Sequence, residues 1–411
     1  MNFEVIDGVN TLNVDMITTA AFAGILLLLG MYIRNRVHIL ERLCIPAPVI
    51  GGFLFAFLMW FFRAQGIFNV EMDTTLQLPF MLAFFSCVGI GGSFRELKKG
   101  GRLLLVFLVG CWILAVIQNA VGVGLASVLG IHPVLGVMAG TVSLVGGHGN
   151  AAAFGPVAEN LGVEGAQTVA VAAATFGLVV GSIAGGPVGD FLIRHNKIDI
   201  PKHEEELDVA IEEKKQSETF SNQSFASHLT FVFIFMVGGL LISDWIQSLN
   251  IPNFALPSYV GAMFLAIIFR NINDQHTIFE INDRIINLIL DTGLSFFLTM
   301  AMMTLKIWEL VDLAVPILVI LTVQFLVLTI FTVFILFPLL GKNYDAAVLA
   351  GGFQGWGMGI AATAVVCMSS ICDKYGIKST RAFLIAPLCG AVFVDAIAIP
   401  TIIFFMQMFG G

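Results

Sequence analysis

The chain has 411 residues, 58% of them hydrophobic and only 12% charged, with a mean hydropathy of +0.93. A soluble globular domain carries about 25% charged residues, so this composition excludes a soluble fold and describes a protein that crosses a membrane several times. The net charge of −8 calls for no nucleic-acid partner, because much of the acid lies in one segment.

The N-terminus carries Glu4, Asp7 and Asp15, with no basic region or small-residue cleavage site, so no cleaved signal peptide is expected. Transmembrane helices are expected at Met16–Ile33, Pro46–Phe62, Leu76–Gly92, Leu103–Leu129 and Gln167–Ile193. The run from Leu103 to Ala158 has no Asp, Glu, Lys or Arg. It is too long for one helix of about 20 residues. Gly146, Gly147 and Gly149 each disfavour helix interior by roughly 1 kcal/mol. Glycine-broken backbone at membrane depth is tolerated only inside protein or along a wet cavity. A re-entrant hairpin is therefore expected over Ala139–Gly155, offering backbone N–H and C=O groups to a solute.

The segment Asn196–Ser227 holds eight acids and four lysines without apolar periodicity, and is expected to be a cytoplasmic linker. Helices are expected again at Leu229–Ser243, Leu256–Phe269, Ile286–Leu305, Leu313–Leu340 and Ala382–Gln407, with a second glycine-broken hairpin over Leu349–Val365. The two sides of the linker echo each other. Pro48-Val-Ile-Gly-Gly52 answers Ser258-Tyr-Val-Gly-Ala262, and Phe84-Phe85 with Glu96-Leu97 answers Phe296-Phe297 with Glu309-Leu310. The near-constant offset, about 210–214 residues, marks an internal repeat. The expected fold class is an all-α polytopic membrane protein of two inverted-topology repeats of five transmembrane helices, at 1–195 and 228–411, each with a re-entrant hairpin. With the N-terminus outside, 18 of the 20 Lys and Arg residues fall on the cytoplasmic side, as the positive-inside rule requires.

Candidate site residues are the polar groups left in these apolar segments. At the first hairpin they are Thr141, Ser143, Gly146, Gly147, His148, Gly149 and Asn150, and at the second Gln354, Gly355, Gly357, Gly359 and Thr363. Asp395 is the one formal charge between Ala382 and Gly411. An ionisable group at that depth costs at least about 3 kcal/mol, which suggests a cation ligand or counter-charge. Gln118, Asn119, Asp291 and Gln324 are further candidates, as solute contacts or as links between helices. Sodium needs several oxygen ligands, which unwound carbonyls and these side chains supply, while a helix N-terminus suits a carboxylate. Cys44, Cys87, Cys111, Cys367, Cys372 and Cys389 are scattered as packing residues. No HExxH, Walker loop or nucleophile elbow is present, so an enzyme is not expected.

Several blocks then point to a family. Met81-Leu-Ala-Phe-Phe85, Gln118-Asn-Ala-Val-Gly122, Gly146-Gly-His-Gly149, Ala174-Thr-Phe-Gly-Leu178 and Gly341-Lys-Asn-Tyr-Asp-Ala-Ala-Val-Leu-Ala350 resemble the bacterial sodium/glutamate symporters. The resemblance covers nearly the whole chain. It implies ten spans, both termini periplasmic, sodium as coupling ion without other cofactor, L-glutamate uptake across the inner membrane, and a homodimer with an elevator-like movement. Within the second hairpin the chain departs from the family pattern, with Phe353-Gln354 for a His-Cys-like pair and Ala361-Ala-Thr363 for Thr-Pro-Thr. Those changes bear on which solute is carried. Another carboxylate, proton coupling through His148 and Asp395, or a channel-like protein remain open at this level.

Overall fold

Asp15 starts the first long helix: its carboxylate accepts the Thr18 backbone N–H at 3.0 Å. The computed structural model describes residues 2–6, 9–42, 45–65, 68–95, 101–200, 221–248, 256–306 and 313–410. Cys44, both Glu-Leu pairs of the repeat and the linker core 201–220 lie outside those residues.

In chain order the first half contains α1 (Met16–Arg36), the short α2 (His38–Arg42), α3 (Ala47–Ala64), α4 (Gln77–Ile90), α5 (Gly101–Val128), α6 (Pro133–Val137), α7 (Gly147–Asn160) and α8 (Ala166–His195). The second half contains α9 (Asn222–Ser248), α10 (Ser258–His276), α11 (Asp283–Met303), α12 (Ala314–Ile330), α13 (Phe337–Leu339), α14 (Tyr344–Trp356), α15 (Ala361–Tyr375), α16 (Thr380–Leu388) and α17 (Asp395–Phe409). Among the described residues, six helices are long and apolar enough to cross a membrane. The protein is thus a multi-pass membrane protein.

Matching positions in the two halves use matching devices. Pro46 and Pro257, 211 positions apart, stand at the N-caps of α3 and α10. His132 and Asn343, also 211 apart, accept backbone N–H groups at the starts of α6 and α14. Gly162 and Gly376 both turn the chain with positive φ, 87° and 70°, a conformation open to glycine at little cost.

Four features differ from the sequence-based expectation. A small sheet joins β1 (Asn2–Ile6), β2 (Val9–Val14) and β3 (Asn69–Met72), antiparallel and then parallel. It ties the start of α1 to the end of α3, and its strands are too short to stand out beside long apolar helices. The second is at α9, which begins within the segment expected as linker, because the Ser221 hydroxyl caps it by accepting the Ser224 N–H at 3.1 Å. Third, wide π turns interrupt three helical runs, at Met138–Val142, Phe331–Leu336 and Cys389–Phe393. Fourth, the glycine-rich residues 147–160 are regular helix, although Gly149 and Gly155 lie inside it. Tertiary packing overrides the propensity there: a Cβ on Gly155 would stand 2.5 Å from the Gln167 Cα.

The helices pack as two bundles, each drawing on both halves of the chain. The first contains α1, α3, α4, α9, α10 and α11, with Phe80 stacked on Phe296 at 5.0 Å and Phe85 beside Tyr259 at 4.8 Å. The second contains α5–α8 and α12–α17. On α8, Gly177, Gly181, Gly185 and Gly189 recur every fourth residue and lie against α14 and the turn after it. A Cβ on Gly181 would stand 2.8 Å from the Gly355 carbonyl oxygen, so only glycine permits this approach. Small residues at such spacing are the usual means of bringing membrane helices into backbone contact.

The seam between the bundles is thinner. α7 meets α11, the Gln167 side chain donates to the Ala301 carbonyl at 3.1 Å, and the Phe154 and Tyr259 rings meet at 5.6 Å. Two cavities lie along it. One of about 430 Å³ is lined by Gln77, Met81, Asn160, Gln167, Tyr259 and Thr304. The other, about 350 Å³, is lined by Val49, Phe53 and Phe57 of α3 and by Thr175 of α8.

Candidate functional site

Both glycine-rich stretches are helix–break–helix units inside the second bundle. In the first, the chain leaves α6 through the π turn, where Gly140 adopts φ −107° and ψ −128°, and re-enters helix at Gly147 with φ +61°. The second break spans 357–360, between α14 and α15. The breaks face each other: a Cβ on Gly147 would come within 2.6 Å of the Ile360 Cγ2. The N-termini of α7 and α15 therefore meet at one place. Their first N–H groups have no partner within the helix, and the helix dipoles add positive potential.

Around the first break, His148 and Asn150 are almost wholly buried. The Thr175 hydroxyl spends its single proton on the Val171 carbonyl at 2.9 Å, so it accepts from the His148 Nε2–H at 3.0 Å. A neutral ring with its proton on Nε2 leaves Nδ1 bare, and Nδ1 is buried without a partner among the described residues. Asn150 Nδ2 donates to Asp395 Oδ1 at 3.4 Å, joining the first break to the start of α17. Asp395 is half-buried and follows the π turn at Cys389–Phe393. Gly149 leaves room for the Phe84 ring of the first bundle, 3.6 Å from where its Cβ would be. Gly146 yields its Cβ space to the Asn150 side chain.

Around the second break, Thr363 Oγ1 accepts the Ile360 N–H at 3.0 Å and lies 2.8 Å from the Gly355 carbonyl, which holds the turn closed. Gly359 is required beside it, since a Cβ there would approach Thr363 Oγ1 at 2.6 Å. The Gln118 amide donates to the Gly357 carbonyl at 2.8 Å, and the Gln324 amide donates to the Gln118 backbone carbonyl at 2.7 Å. Gln354 donates to Thr329 Oγ1 at 2.9 Å. The Oε1 atoms of Gln118, Gln324 and Gln354 are buried without partners among the described residues, as are both polar atoms of Asn119.

The structure thus brings most of the expected residues to the two breaks, with two in supporting roles. Thr141 and Ser143 direct their hydroxyls to the Ala115 and Ala170 carbonyls, which holds the first break against α5 and α8. One candidate is not brought in. Asp291 is exposed on α11, because that helix buries the face carrying Ile285, Ile289 and Gly293 instead. Residues 353 and 354 separate in role. Phe353 is enclosed by Phe107, Phe331 and Trp356 at ring distances of 5.5, 5.9 and 5.7 Å, so that substitution concerns packing. Thr329 had no sequence signal of its own, and Thr175 and Phe84 lay in blocks that resembled the family without being read as site residues. The fourfold glycine spacing on α8 was readable and would have located the helix against which the second break packs.

Comparison with known proteins identifies a family. The sequence profile of the sodium/glutamate symporters matches residues 12–377. The sodium/glutamate symporter of Escherichia coli K12 is 36% identical over 388 residues, covering 94% of this chain and 96% of that protein. The sodium/glutamate symporter of Haemophilus influenzae is 37% identical over 383 residues, covering 92% and 94%.

Proposed function

This chain belongs to the sodium/glutamate symporter family, and on that premise we propose that it carries L-glutamate into the cell, driven by sodium, by alternating access. It is a transporter rather than an enzyme. The observation that carries the reading is the meeting of two helix N-termini at Gly147 and Ile360, with the Asp395 carboxylate joined to the same break. Glutamate has two carboxylates and one ammonium group. The free N–H groups at the two helix starts suit the carboxylates. Asp395 and the bare Nδ1 of His148 are acceptors, and suit the ammonium group.

The two bundles supply the movement. The second bundle contains both breaks, and the thin seam with its two cavities separates it from the first. We read the first bundle as the fixed part and the second as the part that shifts with its solute. The two breaks are read as re-entrant hairpins of an inverted repeat, in a homodimer of the inner membrane with both termini outside.

Proteoliposomes with an inward sodium gradient test the function. Saturable L-glutamate uptake that collapses when choline replaces sodium is expected, with glutarate, which lacks the ammonium group, competing at least about tenfold less well. Uptake driven by a proton gradient alone, or flux that does not saturate, would overturn the assignment. Orientation has its own test, in a background without native cysteines. A cysteine at the exposed Asn160 should react with an impermeant thiol reagent from outside, and one at the exposed Asp373 only from inside. Reaction of both from the same side would sink the inverted repeat. Glu159 is less suitable for this purpose, since its carboxylate accepts the Gln167 N–H near the start of α8.

A further inference from the structure

The geometry points to a sodium site of neutral oxygens behind the second break, built from the side chains of Gln118, Gln324 and Gln354. It rests on the sodium-symport reading above and gives that ion a place separate from the solute. All three side chains are fully buried, and in each the amide nitrogen is used while the oxygen is not. The large majority of buried side-chain polar atoms in native proteins have a partner, so three orphaned carboxamide oxygens in one connected group of helices call for an explanation.

The three residues belong to one connected place. Gln324 holds the Gln118 backbone, Gln118 holds Gly357, and Gln354 lies three residues before Gly357 while bonding Thr329, five residues beyond Gln324. The start of the first break reaches the same cluster: a Cβ on Gly140 would lie 3.5 Å from Gln324 Nε2. Every unused atom in the trio is an acceptor, so the missing partner is a donor or a cation. Gln354 also stands in the last turn of α14, the negative end of that helix. No Lys or Arg occurs in Leu103–Ala158, in α12 or in α14, the elements that carry the trio. Neutral carboxamide oxygens at a helix C-terminus, closed to bulk water, suit a small hard monovalent cation. The breaks then divide the work: the helix starts face the anionic solute, and a helix end faces the sodium.

The test is thermal unfolding of the full chain in detergent, without glutamate, in sodium, potassium or choline chloride at equal ionic strength. The wild-type protein should gain about 3 °C or more in sodium over choline, and not in potassium. Gln324→Met and Gln354→Met keep bulk and remove the oxygen. Each should lose the sodium increment, and in liposomes should raise the half-saturating sodium concentration at least tenfold with the glutamate KM at saturating sodium unchanged. Asp395→Asn should keep the sodium increment. Persistence of the increment in both Met variants, or its loss in Asp395→Asn alone, overturns the site while leaving sodium symport intact. An equal increment in potassium also overturns it, as a salt effect. A wild-type protein with neither an increment nor sodium-dependent uptake would remove the symport reading itself.

Discussion

Gly147→Val is expected to abolish uptake while the protein still inserts and folds. Gly147 has φ +61°, a backbone region that costs an L-residue roughly 1–2 kcal/mol and a β-branched one more. Its new Cβ would also stand 2.6 Å from the Ile360 Cγ2. Overpacking of this kind costs about 1–3 kcal/mol. The sum, about 3 kcal/mol, corresponds to a loss of roughly a hundredfold in the competent arrangement. In the proposed function it falls where the two helix starts keep their spacing around one solute. Gly357→Val should act in the same direction but more weakly, because its φ of −70° suits any residue and its Cβ would meet only the methyl ends of Leu328 and Leu114, at 2.8 and 2.9 Å. Gly124→Ala is the control: it has open space around it and should leave uptake unchanged. A cysteine at the half-buried Ile360 should label with a small thiol reagent, more slowly with sodium and glutamate present. Wild-type uptake by Gly147→Val, or labelling indifferent to both ligands, would remove the breaks from the transport path.

Asp395→Asn is expected to lower uptake by about a hundredfold or more. The substitution keeps shape and can keep the contact with Asn150, so only the charge is lost. Leaving one partner of a fully buried charge pair without the other costs about 3–5 kcal/mol, and for the half-buried Asp395 the lower end, about two decades, is expected. No Lys or Arg occurs between Ala382 and Gly411 to act as that partner within the helix. In the proposed function the ammonium group of the solute supplies the compensating charge. The loss should therefore appear as weakened glutamate binding rather than as failure to insert. An Asn variant with wild-type glutamate KM and uptake would return Asp395 to a structural role.

Much of this layout was legible in the sequence, for identifiable reasons. Long apolar runs locate α1, α5, α8 and α12 because the bilayer imposes length and composition together. Glycine clusters locate the two breaks: Gly147 takes φ +61°, and Gly359 leaves room for Thr363 Oγ1. The exact limits were harder. Gly149 and Gly155 read as helix breakers, yet packing against Phe84 and Gln167 keeps them helical. The π turns add one residue to a helical turn and leave no periodic trace. Asp291 was ambiguous because its sequence position says nothing about which face of α11 is buried. The bond from Gln118 to Gly357 spans 239 residues, and no local pattern announces such a partner.

The interleaving of the two bundles has a consequence for biosynthesis. Each bundle takes helices from both halves of the chain: the first can close only once α11 (Asp283–Met303) is made, and the second only after α17 (Asp395–Phe409). At about 5–20 residues per second, roughly 10–50 seconds separate the synthesis of Gln118 from that of its partner Gly357. During that interval Gln118, His148 and the bare glycine backbone of the first break sit in the bilayer without their final neighbours. Nascent chains stalled within the second half therefore present these polar groups to the insertion machinery, and the last helices complete the second bundle after the first has its full set.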